Sequence, residues 1–284
     1  MQRASNFIET LKNRWIYLFI TIFIIIIYGD SIFYGYVNDD HTIVGITFNE
    51  VIYKLKNGPH FRPLWFFSYI ATNSFIQSSY FDHFINIFLY ISSCGLAYKY
   101  ATTQVTKTQA LLTVVIWITL PWTVFPVVWI SQRNDLIMYI FVFMSLLAYS
   151  NKYFISSSIL ILFSFFGKVV SMFFPLYYVY RGIRDKNTLL VVLNLVIFII
   201  VFLLAAYGYS NLRIESYVND LDVVTKIFRP IYHLVDSSLT QFIPIPFFVN
   251  YIHIMLYISL VLFAIISLRI QKNNIPINIL LIIL

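Results

Sequence analysis

Between Lys186 and Arg213 the chain carries no charged side chain. The stretch "LLVVLNLVIFIIVFLLAAYGY" (189–209) is interrupted by one amide, Asn194, and by little else that is polar. A helix needs about 20 predominantly apolar residues to cross the hydrocarbon of a bilayer, and this run supplies them. A second run, "RWIYLFITIFIIIIYGD" (14–30), has the same character. Neither alternates apolar with polar residues, which excludes the strands of a β-barrel. The rest of the chain follows suit: 60% of its 284 residues are hydrophobic and 11% are charged. A soluble domain carries about 25% charged residues. The reading is an all-α integral membrane protein.

Hydropathy places spans at 15–28, 84–100, 110–128, 135–149, 153–166, 169–180, 188–208 and 247–268. An incomplete further helix covers 275–284, so about 8–9 transmembrane helices are expected. The short pair 153–166 and 169–180 meets at Gly167-Lys168, a break tolerable only against protein or a wet cavity. With the N-terminus in the cytoplasm, Lys and Arg fall mainly inside and carboxylates mainly outside, as the positive-inside rule asks. The net charge of +7 is then a matter of topology, and no nucleic-acid partner is implied. The expected arrangement is one domain over 1–284, in the plasma membrane as a multi-pass protein, with outer loops at 29–83 and 209–246. The lone Cys94 forms no internal disulfide and is read as a buried apolar residue.

The first outer loop holds Asp39-Asp40. The stretch 43–56 reads as an amphipathic helix with Val44, Phe48, Val51, Ile52 and Leu55 on one face, ended by Asn57-Gly58-Pro59. A second helix starts at Pro63, with Trp65, Phe66, Phe67 and Tyr69 suited to a lipid–water interface. Both helices are expected on the outer membrane surface. Asp39, Asp40 and Thr42 can cap the first helix, sit in a solvated loop, or serve as acid/base groups. Lys168 lies between apolar stretches, where a charge is costly and generally faces a polar cavity. Arg62 can anchor at the interface by its stem, and Arg133 with Asp135 can form a plain turn pair.

Five pieces in order carry a resemblance: "VNDDHTIV", "HFRPLWFFSYIATNSF", "FDHFINIFLYISSCGLAYKY", "LPWTVFPVVWISQRNDLIMYIFVFMSLLAYS" and "SFFGKVVSMFFPLYYVYRG". Over about residues 15–208 the chain resembles the GT-C superfamily of membrane glycosyltransferases, in the branch of the tetratricopeptide-repeat O-mannosyltransferases, without the repeats. The resemblance implies transfer of a sugar from a polyprenyl-phosphate donor to a cell-surface glycan, such as O-antigen, or to a lipid-linked acceptor. It implies Asp39 or Asp40 as the catalytic base. Substrate phosphate falls to Arg62, Arg133 and Lys168, with Asp135 orienting Arg133. The partners would be the lipid-linked donor, the acceptor and membrane lipids. No metal ligands are assigned, and a divalent metal is left open. The chain departs from the family at Leu120-Pro121, Phe125 and Lys168-Val169, where relatives carry further polar groups. These departures, with the early C-terminus, leave open a divergent transferase or a degenerate copy. Asp220-Leu-Asp222 is read as loop, and the five histidines show no metal-binding spacing. The competing expectation is a non-enzymatic polysaccharide flippase or exporter.

Overall fold

The computed structural model describes residues 2–57 and 61–210; the side chains of 2–13, 38, 39, 121, 122 and 207–210 are not among those described. The second outer loop, Asp220 and Asp222, and the expected helices at 247–268 and 275–284 lie outside these residues.

Helix α1 (Gln2–Tyr28) is followed by a 3-10 turn, and α4 (Ser79–Ala101) runs back beside it. The antiparallel register is fixed by edge-to-face aromatic pairs at both levels: Tyr17 on Tyr98 and Tyr28 on Tyr90. Helix α5 (Lys107–Thr119) starts at Thr106, whose hydroxyl accepts from Gln109 N while the Gln109 side chain reaches back to Thr106 N. It ends near α1, where Tyr28 OH donates to Ile118 O at 2.7 Å. Helix α6 (Pro121–Val128) takes Pro121 at its first turn, where no N–H is needed.

Helices α7 (Arg133–Ser150) and α8 (Phe154–Gly167) form a closely packed hairpin. Ser145 Oγ donates to Ser157 O at 2.6 Å across it. Gly167 permits the approach: a Cβ there would stand 3.1 Å from both Ile137 Cγ2 and Met138 N. After a 3-10 turn at Val169–Phe173, α9 (Phe174–Arg184) descends and α10 (Thr188–Ser210) returns over α8 and α9. Asn194, the one amide in the long apolar run, faces inward and donates to Ser158 Oγ at 2.8 Å. The turns after α7 and α9 place Lys152 and Lys186 at φ 65° and 53°, the left-handed region.

Helices α2 (Phe48–Asn57) and α3 (Pro63–Phe75) are the two expected in the first loop. Helix α2 begins later than the periodicity predicts. Gly45 at φ 70° breaks the chain, and Thr47 with Glu50 forms the cap: Thr47 N donates to Glu50 Oε2 at 2.8 Å. The aspartate pair therefore does not cap it. Nor is α3 a surface helix, because Phe66, Tyr69 and Thr72 are buried and it packs on α7 and α8.

The expected fold class, a GT-C-like arrangement of eight or nine spans, is not found. Among the described residues two segments are long and apolar enough to cross a membrane, Arg14–Phe33 and Thr188–Ala206. The reason is length and charge. Helices α5 and α8, at 13 and 14 residues, reach only about 20 Å at 1.5 Å per residue, against about 30 Å of hydrocarbon. The segment 169–180 is a 3-10 turn followed by an 11-residue helix. Helices α4 and α7 carry Asp82, His83 and Lys99, and Arg133 and Asp135. Multi-pass localisation with a cytoplasmic N-terminus falls with the same observation.

Candidate functional site

The polar interior lies at one end of the bundle, where α4 and α7 begin and α8 ends. Its centre is Arg133, the first residue of α7, with 0% exposure. Every edge of the guanidinium is engaged. Nε donates to Asn86 Oδ1 at 2.9 Å, Nη1 to Thr72 Oγ1 at 3.2 Å, and Nη2 to Asp82 Oδ1 at 2.6 Å. Its plane lies over the Tyr69 ring, 4.3 Å from the centroid. Asp82 also accepts from Tyr36 OH at 3.2 Å and Thr72 Oγ1 at 3.1 Å. A buried ion pair offsets its desolvation only when the remaining donors and acceptors are filled, and here they are.

Asp40 is fully buried beside this cluster. Its Oδ1 accepts from Ser131 N at 2.7 Å and its Oδ2 from Val37 N at 3.1 Å. Trp65 Nε1 donates to Ser131 O at 2.9 Å, and Tyr69 OH donates to Ile130 O. The three-residue turn Ile130–Gln132 that launches α7 is thus held by the first loop on several sides. Asp39 lies on the same 3-10 turn as Asp40, with its side chain outside the described residues.

A second ion pair sits one turn away. Lys168, 5% exposed at the break between α8 and the following 3-10 turn, donates to Asp135 Oδ1 at 2.6 Å and Oδ2 at 2.7 Å. Burial lowers the Lys168 pKa, and Asp135 opposes the shift. Arg62 is half-buried and close enough for its charge to lower the Lys168 pKa further. Its guanidinium lies 5.8 Å from the Trp65 ring.

The expected residues therefore gather around the start of α7, but with different partners. Asp135 serves Lys168 rather than orienting Arg133. Arg133 is paired instead with Asp82, which the sequence reading missed. The available signal was an acid in the first turn of an apolar helix, "FDHFIN", whose burial demands a cation. Asp40 accepts one backbone N–H on each oxygen and so ties the first loop to the turn before α7. Among the described residues no three His, Cys, Asp or Glu side chains gather where they could hold a metal ion.

No family model, curated protein or solved structure matches the chain. The GT-C resemblance is thereby corrected, and with it the glycosyltransferase activity, the O-antigen setting and the degenerate-copy reading. The pieces that carried it are short, and the many-span frame they need is not present among the described residues. The flippase or exporter alternative requires the same frame and is corrected on the same ground.

Proposed function

We propose that this is a lipid-associated helical binding protein that receives an anionic group at the corner formed by Lys168, Asp135 and Arg62. The carrying observation is the outward face of α1 and α10. On α1, Ile20, Ile24 and Tyr28 recur at helical spacing toward the core, while Leu18, Phe19, Ile22, Ile25 and Ile26 face out. On α10, Leu190, Asn194, Ile197, Val201 and Ala205 face in, and Leu195, Val196, Ile199, Ile200 and Leu203 face out. Ile26 is 74% exposed and Leu203 is 61% exposed. Contiguous apolar faces of this extent mark a surface that another apolar phase covers.

The binding half rests on Lys168. Its ammonium has three hydrogens, and the bonds to Asp135 account for two. Among the described residues the third has no partner, and Arg62 adds a second cation nearby. An anionic oxygen, from a lipid phosphate or a soluble phosphate, fits that corner.

The two halves are tested separately. The protein is expected to float with lipid vesicles, and Ile199→Asp with Leu203→Asp to release it. Each Asp puts a charge on the face that the apolar phase would cover, where an unpaired charge is costly. Failure of the unaltered protein to float would remove the lipid reading. For the site, thermal unfolding in detergent is followed against inorganic phosphate and against dihexanoyl phosphatidic acid. A rise with both indicates phosphate recognition, and a rise with the lipid alone indicates a headgroup site. The pair Lys168→Met with Asp135→Asn, which leaves no lone buried charge, should abolish either rise. An equal rise in that variant would move the anion elsewhere.

A further inference from the structure

At the opposite end of the bundle from the Arg133 cluster, the descending helices finish and the ascending ones begin. Arg14 on α1, Lys99 in the last turn of α4, Lys107 at the start of α5, Lys152 in the α7–α8 turn, and Arg184 and Lys186 around the α9–α10 turn are all exposed there. The helices bring them to one level. Tyr17, one turn from Arg14, packs edge-to-face on Tyr98 next to Lys99. Lys107 is within electrostatic range of Tyr98, and Arg181 is within range of Tyr100. Arg181 is the inward member of the group. Its Nε donates to Tyr149 OH at 3.0 Å, its plane lies over that ring, and Tyr149 OH in turn donates to Asp185. Asp185 is the acid at this end among the described side chains, and it stands 4.0 Å from Arg181.

A second observation bears on what covers this surface. Beside the cations stand exposed aromatic side chains: Trp15 next to Arg14, Tyr153 next to Lys152, and Tyr180 one residue before Arg181. Trp and Tyr collect where an apolar phase meets water. Beyond them the apolar faces of α1 and α10 begin, with Leu18 and Leu189. Cations, then an aromatic belt, then an apolar flank is the order of layers met on passing from water through lipid headgroups into hydrocarbon. A nucleic acid or an acidic protein would complement the cations but leave the belt and flank uncovered.

We propose that this basic end docks in a layer of anionic phospholipid headgroups, so that the protein selects acidic lipids over neutral ones. The inference rests on the lipid-association reading above and adds a charge requirement to it. Each Lys or Arg near an anionic lipid surface strengthens binding on the order of fivefold, and the effect falls off within a Debye length.

The test uses the full-length protein. Flotation with pure phosphatidylcholine vesicles first checks lipid association itself; no flotation there or with mixed vesicles would sink the earlier reading and this one together. Native mass spectrometry from micelles doped with equal phosphatidylglycerol and phosphatidylcholine then reads selectivity. The expected result is phosphatidylglycerol retained at least tenfold over phosphatidylcholine. That preference should shrink in high salt and collapse in Lys99→Gln, Lys152→Gln, Arg184→Gln, Lys186→Gln. These side chains are exposed, so the fold should persist; the salt response of the unaltered protein gives the answer if it does not. Flotation with equal retention of the two lipids overturns the charge requirement alone. Binding of a duplex oligonucleotide as tight as that of phosphatidylglycerol overturns the assignment to lipid.

Discussion

Asp40 shows how a single carboxylate can join two distant parts of a chain. It lies 91 positions from Ser131 and accepts its N–H, while its other oxygen holds Val37. Asn offers one oxygen and an NH2, and that NH2 would face a backbone N–H. Asp40→Asn should therefore lower stability by about 1–3 kcal/mol, the cost of a buried donor left unsatisfied. The check is the thermal unfolding midpoint in detergent, and an unchanged midpoint would mean the second hydrogen bond contributes nothing. His83 behaves differently. It is buried beside Asp82, and burial lowers its pKa below the ordinary 6.5, with Asp40 and Asp82 pulling the other way. The folded state thus holds His83 neutral where the unfolded chain already binds a proton. Its contribution is fully present above pH 6.5 and is lost as pH falls through that value toward the folded pKa. The unfolding midpoint should drop between pH 7 and pH 5, and His83→Gln should flatten that slope; a slope of the same steepness in the variant would assign it to other groups. At this scale the sequence made Lys168 legible, because a cation between apolar stretches must find a partner. Arg133 was singled out without its partner, since its carboxylate lies 51 positions away and no local spacing connects them.

Among the helices, the turn chemistry decides how closely neighbours approach. Gly182 sits where α9 meets α10, and a Cβ there would stand 2.7 Å from Val191 Cγ2 and 3.1 Å from Asn187 O and Val191 N. Valine is stiff at χ1 and the other two atoms are backbone, so neither side can yield cheaply. Gly182→Ala should cost about 1–3 kcal/mol through overpacking, and Val191→Ala should return part of it. Full stability in the single variant would show that the two helices can part without loss. Helix positions were largely readable from periodicity: α2, α3, α4, α7 and α10 fall close to their apolar patterns. What periodicity could not supply was which apolar helix faces lipid and which faces protein. Phe165, Ile161 and Ser157 line the inner face of α8, and Tyr90, Cys94 and Ala97 that of α4. These inner faces serve the core, and counting them as membrane span is what inflated the expected number of crossings.

Across the whole molecule, the buried ion pairs lie at one end and the exposed cations of the helix turns at the other. Asp30, Asp40, Asp82 and Asp135 stand where α1 finishes, α4 and α7 begin and α8 stops, while the exposed cations of the other end have Asp185 among them. Composition announced a basic, apolar chain, but only the antiparallel stacking of the helices turns scattered Lys and Arg into one surface. Two of those cations come with a conformational cost. Lys152 and Lys186 hold left-handed backbone geometry in tight interhelical turns, where a side chain costs roughly 1 kcal/mol relative to glycine. Lys152→Gly and Lys186→Gly should each raise the unfolding midpoint, by up to about 1 kcal/mol of stability. A random library selected only for heat resistance would accordingly discard these lysines early. Clones that survive such selection should be the ones that lose their grip on acidic membranes, so that durability and lipid choice are traded against each other at the same two turns.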